Sequence, residues 1–185
     1  MNEKKVDINT LDIKYIDEIA SVASECFAND KFFLYLGEDI NIRKQKLKEM
    51  YQDACKIALK LGYILGIFSE DRLVSVVLLL DYDKLKKSKK YFQAIFDVDE
   101  NDCKQDTYKF LEMAEKFENA LYLLSIFTDS NFQGQGYASQ MVSYITRKFN
   151  RPIISDVDNV NSLSMYKREN FNIEKISDDT YFVSK

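Results

Sequence analysis

The sequence predicts a mixed α/β fold, and three observations carry that expectation. Apolar residues recur at helical spacing within charged segments, as with Leu47, Met50, Tyr51, Ala54, Ile57, Ala58 and Leu61. Other stretches alternate or are continuously apolar, as in Lys4–Thr10 and Leu73–Leu80. The two kinds interleave in the order β-α-α-β-β-(α)-β-α-β-α-β-β, which sets helices against a central, partly antiparallel sheet.

Each element has its own reason. Lys4–Thr10 sets Val6 and Ile8 against Lys5, Asp7 and Asn9, a first strand. Asp12 can cap a helix carrying Ile16, Ile19, Ala20, Ala23 and Phe27. Residues 28–40 read as an aromatic-rich loop with Phe32, Phe33 and Tyr35. A long amphipathic helix spans Ile42–Leu61 and ends at Gly62. Tyr63–Phe68 and Leu73–Leu80 flank Ser69-Glu70-Asp71-Arg72 as an antiparallel hairpin. Residues 81–119 are charged and helix-prone, and the lysines at 84, 86, 87, 89 and 90 read as a solvated face rather than a basic patch. Ala120–Thr128 is a strand. Gly134–Phe149 is loop then helix, with Ala138, Met141, Val142 and Ile145 on one face. Ile153–Val157 is a short strand, Val160–Glu169 a helix, and Ile173–Ile176 and Tyr181–Val183 close the chain as strands.

At 185 residues the chain is expected to form one domain, 1–185. Its 46 % apolar and 30 % charged residues are ordinary for a globular protein. The longest near-apolar run has eight residues, against the roughly 20 of a membrane span. The N-terminal stretch lacks the apolar core of a signal peptide, so a cytoplasmic location is expected. Cys26, Cys55 and Cys103 are scattered, which fits a reducing compartment. A net charge of −4 speaks against a nucleic-acid binder.

The chain contains no histidine. That excludes a Ser-His-Asp triad, a Cys-His dyad and any histidine-bearing metal site, so no metal is expected. Proton transfer near neutral pH then falls to carboxylates, Tyr, Lys, Cys, water or the substrate.

Two of the five glycines sit together in Gln133-Gly134-Gln135-Gly136-Tyr137-Ala138, between an apolar strand and an amphipathic helix. Glycine lets backbone approach a ligand, and the first helical N–H groups lack internal partners, so such a loop suits a phosphate. A tight turn is the other reading. No Gly-Lys-Ser/Thr follows, and neither the third glycine nor the ribose-binding acid of a dinucleotide fingerprint is present.

Strand, Gln-x-x-Gly-x-Ala loop and helix together resemble the pyrophosphate-binding motif of the GNAT superfamily of N-acetyltransferases. Gln133, Gly136 and Ala138 fill that motif. Downstream, residues 159–171 resemble the family's Asn-x-x-Ala-x-x-x-Tyr-x-x-x-Gly-Phe, with Ser162 for Ala and Asn170 for Gly. Asn tolerates the left-handed conformation that ends a helix. The two motifs cover about residues 120–172.

The resemblance implies a central mixed, mostly antiparallel sheet of six to seven strands with helices on both faces. It implies an acetyl-CoA-dependent transfer to a primary amine by direct attack in a ternary complex, with acetyl-CoA as co-substrate. It also allows a homodimer. By the same resemblance, Ile126, Phe127 and Thr128 meet the pantetheine arm. Gly134, Gln135, Gly136, Tyr137 and Ala138 offer N–H groups to the pyrophosphate beside Gln133. Asn159 sits by the pantetheine, and Tyr166 places its hydroxyl near the thioester sulfur.

An amine attacks a thioester carbonyl and the sulfur leaves as thiolate, which an aligned O–H can stabilise. Tyr166 is the candidate acid, or else a helical core aromatic beside Leu163 and Met165. Asp156 is the candidate base, or else a strand-end acid that caps the next helix or faces solvent. For the acceptor, Glu25, Asp30, Glu38 and Asp39 could favour a cationic amine, and Phe32, Phe33 and Tyr35 could wall its pocket or pack a core. A CoA-binding sensor without turnover is the alternative function. The hydroxyl at position 166 favours the enzyme.

Overall fold

The computed structural model describes residues 6–97 and 105–185. Lys4, Lys5 and Cys103 lie outside the described residues. In chain order the elements are β1 (Ile8–Thr10), α1 (Ile16–Phe27), α2 (Ile40–Leu61), β2 (Gly62–Ser69), β3 (Arg72–Asp81), α3 (Tyr82–Lys87), α4 (Lys89–Phe96), α5 (Gln105–Ala114), β4 (Leu121–Thr128), α6 (Tyr137–Lys148), β5 (Ile153–Val157), α7 (Leu163–Arg168), β6 (Asn172–Lys175) and β7 (Tyr181–Ser184). Seven strands form a sheet in the order β1-β2-β3-β4-β5-β7-β6. The pairs β1–β2, β5–β7 and β6–β7 are antiparallel, while β4–β5 is parallel. The expected mixed, mostly antiparallel sheet is therefore present.

The chain forms two compact units, residues 1–78 with 125–141, and 79–124 with 142–185. In the first, α1 packs on α2 and α2 on β2. The facing stripes are Ile16, Ile19, Ala20 and Ala23 on α1, and Leu47, Tyr51, Cys55 and Ala58 on α2, all buried. Helix α2 starts two residues before its apolar pattern does. The Asp39 carboxylate accepts from the N–H groups of Asn41 and Ile42 at 2.7 and 3.2 Å, and this N-cap sets the start. Strands β2 and β3 are joined by Glu70-Asp71, both left-handed (φ 51° and 62°), as a tight antiparallel hairpin requires.

The stretch expected as a loop over 28–40 contains a 3-10 turn at Lys31–Leu36, capped by Asp30, whose carboxylate accepts from Phe32 N at 2.9 Å. Arg43 of α2, itself buried, holds this segment down. Its Nε donates to Ala28 O at 2.8 Å, and its Nη1 donates to Gly37 O and Glu38 O at 2.7 Å each. One cation thus satisfies three loop carbonyls.

In the second unit the segment 81–119 resolves into α3, α4 and α5. Lys86 of its lysine-rich run meets Asp83 and Glu115 at 3.5 and 3.3 Å, as a solvated helix face should. Beneath lies an aromatic cluster of Phe96, Phe110, Tyr122 and Phe182, with ring centroids 5.3–5.7 Å apart. Helix α7 ends where Asn170 turns left-handed (φ 58°). Phe171 N then bonds to Tyr166 O at 3.0 Å and Asn170 N to Lys167 O at 3.1 Å. Asn thus ends the helix in the conformation that a glycine would otherwise supply. Among the described residues no helix is long and apolar enough to cross a membrane.

Candidate active site

The Gln133–Ala138 loop runs into the start of α6, and residues 133–136 are all exposed. Gly134 and Gly136 are left-handed (φ 76° and 84°), and a Cβ built on either meets no atom within 4 Å. The glycines are therefore kept by backbone conformation and by open space, not by crowding. Alternating left-handed residues point successive N–H groups at a common concavity, and the dipole of α6 adds positive potential there. This cradle fits a pyrophosphate.

Gln133 has a different role from its loop neighbours. Its Nε2 donates to Thr128 O at 3.1 Å, and Cys26 Sγ donates to the same carbonyl, also at 3.1 Å. The Gln133 side chain thus ties the loop to the end of β4. Burial and the Asp129 carboxylate push the Cys26 thiol up to about 12, so it remains a neutral donor.

The strand end is fixed from the other side by Ser75, which is fully buried on β3. Its hydroxyl donates to Phe127 O at 3.0 Å and lies 3.0 Å from the Thr128 hydroxyl. The Phe127 ring is buried against Phe27 and Tyr51 at 5.7 and 5.5 Å. Tyr51 and Ser125 share a hydroxyl–hydroxyl bond of 3.0 Å. Ser75 interrupts the apolar run Leu73–Leu80; a buried Ser in a strand needs a partner, and that interruption is the signal the sequence offers.

Strands β4 and β5 are in register at two pairs only, Leu121↔Ile153 and Tyr122↔Ile154, although β4 continues to Thr128. Just past the last pair, Ser155 Oγ donates to Leu123 O at 2.8 Å, a side chain standing in for a ladder bond. The Ser155 hydroxyl is also hydrogen-bonded to the Tyr166 hydroxyl. Tyr166 is buried on α7, with its ring 5.2 Å from Phe171. Burial is the main reason that its hydroxyl is pushed well above the ordinary tyrosine range; the nearby Asp156 charge adds to this and Ser155 opposes it.

Consecutive residues of a strand face opposite ways. Asp156 therefore turns from Ser155 toward Tyr122, whose hydroxyl donates to Asp156 Oδ1 at 2.7 Å. Asp156 is half-buried, and desolvation raises its carboxyl above the usual range while the Tyr122 bond holds it down. Tyr122, almost wholly buried, is raised well above its ordinary value by burial and by Asp156. Asp156 thus neither caps the next helix nor lies free in solvent; Asn159 does the capping, with its Oδ1 accepting from Asn161 N at 3.0 Å. Tyr122 escaped sequence reading because nothing in an apolar strand marks one tyrosine among 12.

The residues proposed for the acceptor divide. Asp30 and Asp39 are helix caps, and Glu25 pairs with Lys44 at 2.7 Å. Phe33 packs on Phe27 at 5.5 Å, whereas Phe32 and Tyr35 stay exposed, together with Leu34, Ile40 and Ile42. Among the described residues no three His, Cys, Asp or Glu side chains are grouped to hold a metal ion.

Comparison with known proteins places these features in a family. The profile of the acetyltransferase (GNAT) family matches residues 33–171. A search by sequence among curated proteins finds no match. Among solved structures, the histone acetyltransferase HPA2 and related acetyltransferase of Corynebacterium glutamicum superposes with TM-score 0.68 at 19 % identity, covering 97 % of this chain and 95 % of that one. Arylalkylamine N-acetyltransferase 2 of Aedes aegypti gives TM-score 0.66 at 15 % identity, covering 98 % and 99 %. The PaiA N-acetyltransferase of Thermoplasma acidophilum, solved with coenzyme A, gives 0.58 at 16 %, covering 98 % of each chain. With three quarters of its length matched by that profile, the chain belongs to the GNAT acetyltransferase family, enzymes that take their acetyl group from acetyl-CoA.

Proposed function

We propose that the protein is an acetyl-CoA-dependent N-acetyltransferase, a single domain over residues 1–185, moving an acetyl group onto a primary amine by direct attack. The observation that carries this is the coexistence of the open, left-handed Gly134/Gly136 cradle and a buried, protonated Tyr166. Bound acetyl-CoA supplies a thioester whose carbonyl receives the amine and whose sulfur departs as thiolate.

The chain's residues then have separable tasks. N–H groups from Gly134 to Ala138 hold the pyrophosphate, and the end of β4 from Ile126 to Thr128 aligns the pantetheine. Thr128 O is already occupied by Gln133 and Cys26, so alignment there falls to the remaining backbone of the strand. Asn159, at the start of the turn into α7, borders the same arm. Tyr166 turns its hydroxyl proton from Ser155 to the departing sulfur. A thiol titrates near 8.5, well below a tyrosine raised above 10. Full proton transfer from Tyr166 is therefore uphill, and its contribution is charge stabilisation. Asp156, its basicity raised by burial and its orientation set by Tyr122, receives the proton lost by the amine.

The acceptor we favour has an apolar body. Of the four acids offered for it, Asp30 and Asp39 are caps and Glu25 is paired, which leaves the exposed Glu38, whereas Phe32, Leu34, Tyr35 and Ile42 are exposed within 11 residues. That reading also agrees with the likeness to an arylalkylamine N-acetyltransferase. A thiol-release assay with acetyl-CoA, comparing phenethylamine and spermidine, tests it. We expect the aryl amine to have the higher kcat/KM by at least about tenfold, the order of a few buried methylene groups. Preference for spermidine would restore the acidic pocket. CoA binding without turnover on any amine would favour the sensor.

A further inference from the structure

From Phe117 to Thr146 the chain has no lysine and no arginine. This stretch holds β4, the glycine loop and most of α6, the region where coenzyme A would bring roughly three to four negative charges. A helix N-terminus offers only about half a positive charge. The one acid at the loop entrance, Asp129, is held below the usual carboxylate range by Asn131 and Arg72 and is therefore ionised. Taken alone, the segment is electrostatically unsuited to its ligand.

The missing cation comes from elsewhere in the same unit. Arg72, first residue of β3, places Nη2 2.5 Å from Asp129 Oδ2. Its guanidinium carbon lies 5.5 Å from the Phe132 ring, whose residue immediately precedes Gln133. Asp129 Oδ1 is taken up by Asn131, through the backbone N–H at 2.9 Å and the side-chain amide at 3.1 Å. The pair is asymmetric. Only 9 % of the Asp129 side chain is exposed, against 55 % for Arg72. The acid is hidden and the cation is presented, so the outer face of the pair is positive. Arg carries five donors in a fixed fork suited to phosphate oxygens, and one of them suffices for Asp129.

We propose that Arg72 is a phosphate ligand of coenzyme A, supplied by β3 rather than by the glycine loop, with Asp129 and Phe132 fixing its guanidinium. The proposal rests on the cofactor placement given above. Arg72→Met keeps a stem over Phe132 and removes the charge, and Arg72→Lys keeps the charge without the fork.

The test is calorimetry of the full chain with CoA at several salt concentrations. Arg72→Met should weaken CoA binding by about tenfold, the size of one charge-assisted hydrogen bond. Arg72→Lys should fall between it and the parent. The salt dependence of log Kd should flatten in Arg72→Met, because one fewer ion pair is screened. Repeating the comparison with 3′-dephospho-CoA locates the contact. A loss that disappears assigns Arg72 to the 3′-phosphate, and a loss that persists assigns it to the pyrophosphate. Arg72→Met within twofold of the parent, with an unchanged melting curve, overturns the proposal. So does weaker binding with an unchanged salt slope, which would make Arg72 only a brace for the loop. A parent that binds no CoA at millimolar ligand removes the cofactor placement itself, and this assignment with it.

Discussion

At the Gln133–Ala138 loop, what the protein offers a ligand is backbone, exposed and shaped by two left-handed glycines. In the cluster of Tyr122, Ser155, Asp156 and Tyr166, everything offered is side chain, hidden and hydrogen-bonded. In the function proposed above, the first arrangement binds and the second handles protons. Backbone donors have no titration to tune, so the loop needs only conformation and access. Proton-handling groups must have shifted affinities, and burial is what shifts them. The two regions should therefore fail differently. Damage to the loop should appear in binding, and damage to the cluster in turnover and its pH dependence.

The largest effect is expected at Gly136. Aspartate there must adopt φ near +84°, where a side chain is strained, and it adds a carboxylate where the pyrophosphate should lie. Nothing lies within 4 Å of the added Cβ, so the protein should still fold. Gly136→Asp should abolish CoA binding in calorimetry up to millimolar ligand. Binding within tenfold of the parent would remove the loop from the cofactor site.

Tyr166→Phe should do the opposite. The ring and its contact with Phe171 remain, and only the bond to Ser155 is lost, at a cost of about 1 kcal/mol in stability. Affinity for CoA should stay within a few-fold. Turnover should fall roughly 10²–10⁴-fold, as for a lost acid or transition-state donor. We expect the lower end, because a raised phenol stabilises a thiolate without protonating it. Parent-like turnover in a folded variant would leave Tyr166 as a core aromatic.

The same contrast decides what is legible in the sequence. Sheet, helices and loop are legible because periodicity and glycine report backbone directly. Gly134, Gly136 and the left-handed Asn170 are cases where conformation restricts residue type. Residues 28–40 look like plain loop in the sequence because the segment is held by Arg43, which reaches back from α2 to three carbonyls. The proton cluster was half legible. Tyr166 came through motif spacing and Asp156 as a lone acid in an apolar strand. Tyr122 and Ser155 did not, since their roles exist only once β4 and β5 part after two paired positions. Cross-strand partners leave no local signature in either strand.

The smallest effect we predict tests Tyr122, one of the residues that leave no mark in the sequence. Its hydroxyl stabilises the charged form of Asp156, against the burial that disfavours it. Tyr122→Phe keeps the ring among Phe96 and Phe110 and deletes that donor. Asp156 should then hold its proton to higher pH. If Asp156 is the base, kcat/KM rises with pH as the carboxyl ionises, and the variant's rising limb should move upward while the plateau changes only a few-fold. Stability should follow the same carboxyl with its own sign. A carboxyl raised in the folded state favours folding below its unfolded value, near 3.9, and that contribution is lost as pH rises through the folded value. Asp156→Asn should therefore melt higher than the parent near neutral pH, while losing the rising limb altogether. A limb that stays in place in both variants would mean that Asp156 takes no part in the proton transfer, leaving the amine to be deprotonated by water.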